Sequence, residues 1–182
     1  PKPPGALEAA ASLGKGLDNL IIFNSLSKRS NASGMRAGFI AGDKNVIESY
    51  KLLVSNGASP VPIPIQKVAA SLYADEEHHT KACIHYDKNF SIVEKYLKPF
   101  YKDFKLPDAG FFLWLKVRDD QQAAKILWNK FSLRVMPGSF MGINVQGFNP
   151  GKGFLRISLV DNKEVIEEAM KRIQLFLQSE IS

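Results

Sequence analysis

Four short apolar runs recur along this chain: Leu20 to Phe23, Ala37 to Ala41, Gly110 to Val117 and Gly153 to Leu159. Each is bounded by glycine or turn residues; a loop separates the first two, and longer stretches of helical periodicity follow the second, third and fourth. Runs of this kind read as strands, and strands interleaved with helices confine the chain to the α/β class. The first run ends in Asn24-Ser25-Leu26-Ser27-Lys28. A lysine with two hydroxyls beside it therefore stands just past the carboxyl end of a strand, where open α/β sheets place ligands. A lysine desolvated there can lose its proton and attack a carbonyl carbon. Arg36 follows eight positions on, inside Gly34-Met35-Arg36-Ala37-Gly38. Its planar, permanently charged fork suits a phosphate, and the glycines would let backbone approach a ligand closely.

The remaining pattern fills in the architecture. Ala6 to Leu13 is rich in helix formers and stopped by Gly14. Asp43 can cap a helix from Lys44 to Leu53. Prolines at positions 60, 62 and 64 predict a loop from Ser55 to Pro64. A helix is expected over Ile65 to Ala74, then a long one from Glu76 to Tyr101 with Ile84, Phe90, Val93, Leu97 and Tyr101 near one stripe. Beyond Pro107 come a strand (Gly110 to Val117), a helix (Gln121 to Phe131), a strand (Leu133 to Met136), a turn at Pro137-Gly138, a strand (Gly153 to Leu159) and a helix (Lys163 to Gln178). This last set reads as a compact α/β lobe.

Composition narrows the function. Hydrophobic content of 45% and charged content of 23% are those of an ordinary globular protein, and no window approaches the roughly 20 apolar residues that span a bilayer. Pro1-Lys2-Pro3-Pro4-Gly5 has no apolar h-region of a signal peptide. A single cysteine, Cys83, excludes an internal disulfide and fits a reducing cytoplasm, with a half-buried helix thiol as its expected setting. The 24 basic and 18 acidic residues give a net charge of +6, but the basic residues are scattered. That argues against nucleic acid and suits an anionic cofactor and dicarboxylate substrates. His78 and His85 share a helix face with no converging Cys or carboxylate, so solvated histidines are expected and no metal. Arg156 sits in Phe154-Leu155-Arg156-Ile157-Ser158-Leu159, whose neighbours want burial; its charge needs a carboxylate, from the protein or from a ligand.

From Ser25 to Gly38 the chain carries Ser-x-Ser-Lys, a few variable residues and Gly-x-Arg-x-Gly. In this it resembles the fold-type-I pyridoxal-phosphate-dependent aminotransferases of class I/II. Asn24-Ser25-Leu26-Ser27-Lys28-Arg29-Ser30-Asn31 is most similar to the succinyldiaminopimelate aminotransferase branch. Asp108-Ala109-Gly110-Phe111-Phe112 resembles the family's Gly-Gly-Phe-Phe, and Val135-Met136-Pro137-Gly138-Ser139-Phe140 its Val-x-Pro-Gly loop. Ala82-Cys83-Ile84-His85-Tyr86 departs from the family's Asn-Arg-x-x-Tyr. The resemblance implies the C-terminal half of such an enzyme. Residues 1–64 would end its large, mixed-sheet cofactor domain, 65–106 would be bridging helices, and 107–182 would form the small α/β domain.

It also implies pyridoxal 5'-phosphate as cofactor, with Lys28 catalytic and bonded to it, and Ser25, Ser27 and Arg36 at its phosphate. Arg156 would grip the substrate α-carboxylate. The implied reaction moves an amino group between an amino acid and a 2-oxo acid, in that branch N-succinyldiaminopimelate and 2-oxoglutarate in lysine biosynthesis, within a cytoplasmic homodimer. The family's aspartate for the pyridine nitrogen and tyrosine for the phenolic oxygen are not in this stretch, so the chain alone is expected to be inactive and to self-associate. A β-lyase or decarboxylase of the same fold type would share these residues. Two other readings stay open: a catalytically dead interaction fragment, and a nucleotide or anion binder using Gly34 to Gly42.

Overall fold

A computed structural model of the chain describes residues 5–14 and 16–181. The proline-rich start at residues 1–4 lies outside the described residues. The fold is mixed α/β with antiparallel sheets, and it divides into two compact units between Ala82 and Cys83.

The first unit opens with α1 (Ala6–Ser12), β1 (Ile21–Ser25) and the one-turn helix α2 (Leu26–Arg29), followed by a 3-10 turn and β2 (Gly38–Gly42). β1 and β2 pair antiparallel, with Ser25 opposite Gly38 and Ile21 opposite Gly42. Gly38 is needed here for the sheet rather than for a ligand. A Cβ on it would lie 2.3 Å from the Asn24 carbonyl oxygen on the neighbouring strand. Nothing lies within 4 Å of the equivalent position on Gly34. The expectation that the glycines serve close ligand approach is therefore corrected for Gly38.

Asp43 caps α3 (Lys44–Gly57) by accepting hydrogen bonds from Asn45 N and Val46 N. The same carboxylate accepts one from Asn19 N at 2.9 Å. These three backbone donors, Asn19 first, hold its carboxyl below the ordinary value of 3.8. α3 runs beyond the expected Leu53, and α4 (Ile63–Ala74) starts before the expected Ile65. Pro64 falls in the first turn of α4, where a missing N–H breaks no helical bond. The expected ten-residue loop contracts to residues 58–62.

α5 (Glu77–Leu97) runs from the first unit into the second. It ends earlier than the sequence predicts because Pro99 forces a 3-10 turn, Lys98–Phe100. Tyr101 thus leaves the helix and donates its hydroxyl to Lys116 O at 2.8 Å, and burial pushes its phenol up to about 12.

In the second unit, β3 (Phe112–Lys116), α6 (Asp120–Phe131), β4 (Met136–Pro137), β5 (Phe154–Ser158) and α7 (Lys163–Ile181) build an antiparallel sheet in the order β3-β5-β4, with helices against one face. β4 is shorter than the predicted Leu133 to Met136. Ser132 takes a left-handed conformation to end α6, and Leu133 N bonds back to Leu127 O at 3.0 Å. The intervening residues are used to leave the helix. Pro137 cannot donate to a ladder and accordingly occupies an edge strand.

Alternation sorts the faces of this sheet. Leu113, Leu115, Leu155 and Ile157 turn inward against Val93 and Leu97 of α5, Leu127 of α6, and Ile166, Met170, Ile173 and Phe176 of α7. Asn89 is the buried polar exception in α5. Its side-chain amide donates to Leu159 O at 2.9 Å and Asp161 O at 3.0 Å, tying the end of β5 to the helix. The first unit has a far smaller apolar centre. Its buried hydrophobics among the described residues are Leu26 and Ala37, while Phe23 on β1 is 71% exposed.

Candidate active site

The loop between β1 and β2 gathers every cofactor residue read from the sequence. Ser25 ends β1 and caps α2. Its Oγ accepts from Ser27 N at 3.2 Å and lies 3.0 Å from Ser27 Oγ. That cap is why a single helical turn forms at Leu26–Arg29, since a free turn this short is unstable by itself. Leu26 is fully buried and anchors the turn, with its N–H on Ala37 O at 3.2 Å and its carbonyl accepting from Ser30 N and Ala32 N. Lys28, on the same turn, is exposed.

Arg36 re-enters the site at the other end of the loop with φ 51°, a left-handed conformation that costs a non-glycine residue roughly 1–2 kcal/mol. Nη1 donates to Ser33 O at 2.9 Å, which leaves most of the guanidinium fork available.

Arg29, Ser30, Tyr73 and His78 also build this loop, and sequence reasoning missed them. The Arg29 side chain is only 15% exposed. It donates to Leu72 O at 2.8 Å and pairs with Glu76 at 2.6 Å, so its charge sits on the carbonyl end of α4. Tyr73 stacks edge-on against Phe39 and donates to Asn24 Oδ1 at 3.2 Å. Burial raises its phenol pKa, against the opposing pull of the nearby Arg29. His78 lies between Asp75 Oδ2 at 2.9 Å and Ser30 Oγ at 2.8 Å. The hydrogen bond from His78 is the largest of the contacts that hold the Asp75 carboxyl below its ordinary value.

The histidines are therefore half-buried and partnered, contrary to the solvated setting expected from sequence. His85 likewise contacts Val160 O at 3.2 Å. An aspartate three residues before a histidine at a helix start was the available signal. Cys83 is exposed rather than half-buried. Among the described residues, no cluster of His, Cys, Asp or Glu could hold a metal ion.

Arg156 belongs to the second unit, on the central strand, paired in register with Trp114 and Met136. It points away from the core that Leu155 and Ile157 enter. Among the described residues it makes no ion pair. Its guanidinium instead lies 4.4 Å from the centroid of the Phe112 ring. Trp114 and Phe154 occupy the same outward face and line a cavity of about 420 Å³ with Met141 and Pro150. A stacked arginine beside an aromatic wall can receive a carboxylate.

The wall's loop is held by Asp120, which is buried at the start of α6. Its carboxylate accepts from Ser139 N at 2.8 Å and Gly153 N at 3.1 Å. A Cβ on Gly138 would lie 2.3 Å from Gly151 O, so the two ends of this loop meet backbone to backbone. Burial raises the Asp120 carboxyl pKa, but the bonds from the Ser139 hydroxyl and from the Ser139 and Gly153 amides together hold it below 3.8. A lowered folded value means the charged form favours the fold. The stabilisation is present above pH 3.8 and is lost as pH falls through the folded value. Asp120→Asn is expected to destabilise by about 1–3 kcal/mol at neutral pH, since one amide loses its acceptor. Thermal melts should show the gap from the unmutated protein closing below pH 4 or so.

A model of the family described as "Aminotransferase class I and II" matches residues 3–173. The chain belongs to that family. Its members are pyridoxal-phosphate-dependent. The chain is 29% identical over 177 residues to LL-diaminopimelate aminotransferase 2 of a Nostoc species, covering 95% of this chain and 43% of that protein. It is 27% identical over 177 residues to (5-formylfuran-3-yl)methyl phosphate transaminase of Methanocaldococcus jannaschii, covering 95% and 46%. An aminotransferase structure from Neisseria meningitidis superposes with a TM-score of 0.88 at 38% identity, covering 96% of this chain and 45% of that one. The chain thus spans under half the length of these relatives. Among the described residues, no helix is long and apolar enough to cross a membrane.

Proposed function

We propose that this chain carries the lysine half of a transaminase site, moving an amino group between an amino acid and a 2-oxo acid. The observation that carries the reading is the gathering of Ser25, Ser27, Lys28 and Arg36 in one loop at the end of β1. The donor set fits pyridoxal 5'-phosphate: two hydroxyls 3.0 Å apart and a largely uncommitted guanidinium suit a phosphate, and a primary amine suits an aldehyde. Ser25, Ser27 and Arg36 would hold the phosphate, and the Lys28 amine would engage the cofactor's aldehyde. When bound, the cofactor supplies the electron sink for carbanion chemistry. Lys28 Nζ moves the proton at the substrate Cα, and Arg156 orients the α-carboxylate.

On this reading residues 1–64 belong to the cofactor domain, 65–106 to bridging helices and 107–182 to the small domain of a cytoplasmic homodimer. The substrates we propose are N-succinyldiaminopimelate and 2-oxoglutarate; the name of the Nostoc relative supports LL-diaminopimelate as the second candidate donor. The deciding experiment incubates the full-length protein, cofactor and 2-oxoglutarate with each donor in turn. Glutamate formation is expected with at least one. Release of ammonia or carbon dioxide without glutamate would replace this reading with a lyase or a decarboxylase.

A further inference from the structure

The turn that bears Lys28 is tied to a second helix by the side chain next to the lysine. α2 is four residues long, too short to keep a helical form unaided. Leu26 is fully buried, Lys28 is exposed, and Arg29, one peptide bond further on, has a largely buried side chain. Its guanidinium crosses to the end of α4. Nη1 donates to Leu72 O at 2.8 Å, and Nη2 donates to Glu76 Oε1 at 2.6 Å and stands 3.5 Å from Asp75 O. Leu72 lies in the last turn of α4, where carbonyls lack a helical donor. Arginine fits this place because one planar fork serves a carbonyl and a carboxylate together, with its charge at the negative end of the helix.

The same end of α4 also holds the strand that feeds α2. The Tyr73 hydroxyl donates to Asn24 Oδ1 at 3.2 Å, and its ring meets that of Phe39 on β2 with centroids 5.0 Å apart. Arg29 Cζ stands 5.5 Å from the Tyr73 ring centroid, so the two anchors brace each other. Lys28 therefore sits in a short stretch of backbone fixed to one helix end at Asn24 and again at Arg29. Releasing the second anchor frees the residue adjoining the lysine, and the backbone carries that movement to Lys28 Cα.

We propose that Arg29 is a positioning residue for the lysine's chemistry: by clamping α2 to the end of α4 it fixes the direction in which the Lys28 amine is presented. The proposal rests on the reading that Lys28 engages the cofactor's aldehyde. Arg29 acts through the backbone of the turn and not on the reacting atoms.

The test uses the full-length protein stripped of cofactor and has two readouts. The first is hydrogen exchange at the amides of Ser30 and Ala32, which close the turn on Leu26 O at 3.1 and 3.2 Å. The second is covalent capture of added pyridoxal 5'-phosphate, followed by absorbance over a range of cofactor concentrations, with the bond trapped by borohydride and the modified lysine identified by peptide mapping. Arg29→Gln is expected to speed exchange at those two amides about tenfold, the worth of one strong hydrogen bond, while the amides of α7 keep their protection. It should slow the limiting rate of capture about ten- to a hundredfold, the cost of misplacing a reacting group by an ångström or less. The half-saturating cofactor concentration should stay within about twofold, since Ser25, Ser27 and Arg36 are untouched. Arg29→Lys keeps the charge without the fork and should fall between. Glu76→Gln removes one partner and should move both readouts the same way by less. Unchanged exchange, or capture at Lys28 with an unchanged limiting rate, would overturn the proposal and leave the lysine reading standing. So would a raised half-saturating concentration with the limiting rate intact. Trapping at another lysine would overturn the lysine reading, and the proposal with it. Arg29→Lys and Glu76→Gln carry the same readouts if Arg29→Gln fails to fold.

Discussion

Lys28→Ala in the full-length protein is expected to lower transamination by on the order of 10⁴-fold or more, because no other group on this loop offers an amine. The loss should fall on kcat, since on the proposed reading the amine moves the proton at Cα. Ser25, Ser27 and Arg36 remain in place, so cofactor should still be retained through its phosphate. Borohydride trapping followed by mass spectrometry should find no covalent adduct on the variant. The fold should survive: Lys28 is exposed, and Leu26 and Arg29 carry the packing of that turn. A variant that turned over at the normal rate would place the chemistry on another residue and return Lys28 to an ordinary surface lysine.

Arg156→Lys should lower kcat/KM by about 2–4 kcal/mol, some 30- to 1000-fold, with melting temperature close to that of the unmutated protein. Two contacts decide the size. The guanidinium can offer a carboxylate two parallel N–H groups while it rests over the Phe112 ring, whereas an ammonium has no planar fork and no planar face to stack. The competing structural reading needs a carboxylate of the protein beside Arg156. Among the described residues none forms an ion pair with it, so little folding energy depends on its charge. Normal kinetics with a lowered melting temperature would reverse that conclusion.

Local chemistry made much of the candidate site legible in advance. Ser25, Ser27, Lys28 and Arg36 fall within twelve residues, so one loop necessarily brings them together. Asp43 caps α3 as its sequence position indicates, and the apolar stripe from Val165 to Leu177 lies on a helix packed against the sheet. Where the reading failed, proline was judged too simply. Pro64 opens a helix, Pro99 ends one, and Pro137 occupies a sheet edge. Proline's effect depends on whether its missing N–H falls where a partner is required, and spacing alone does not say which.

The sequence by itself determined the α/β class and the lysine loop, because period, capping and close spacing act within a few residues of one another. Only the tertiary structure decided the partners of Arg29, His78, Asn89 and Asp120. Their contacts with Leu72, Ser30, Asp161 and Ser139 join residues 19 to 72 positions apart, and nothing local marks which of many polar residues will meet over such a separation. Asp75, three residues before His78, was by contrast within local reach. It also decided the setting of Arg156. A charged residue in an apolar strand reads as a buried ion waiting for a partner. Strand alternation instead turns it to the outer face, onto an aromatic ring, where its hydrogen-bond donors remain open to a ligand.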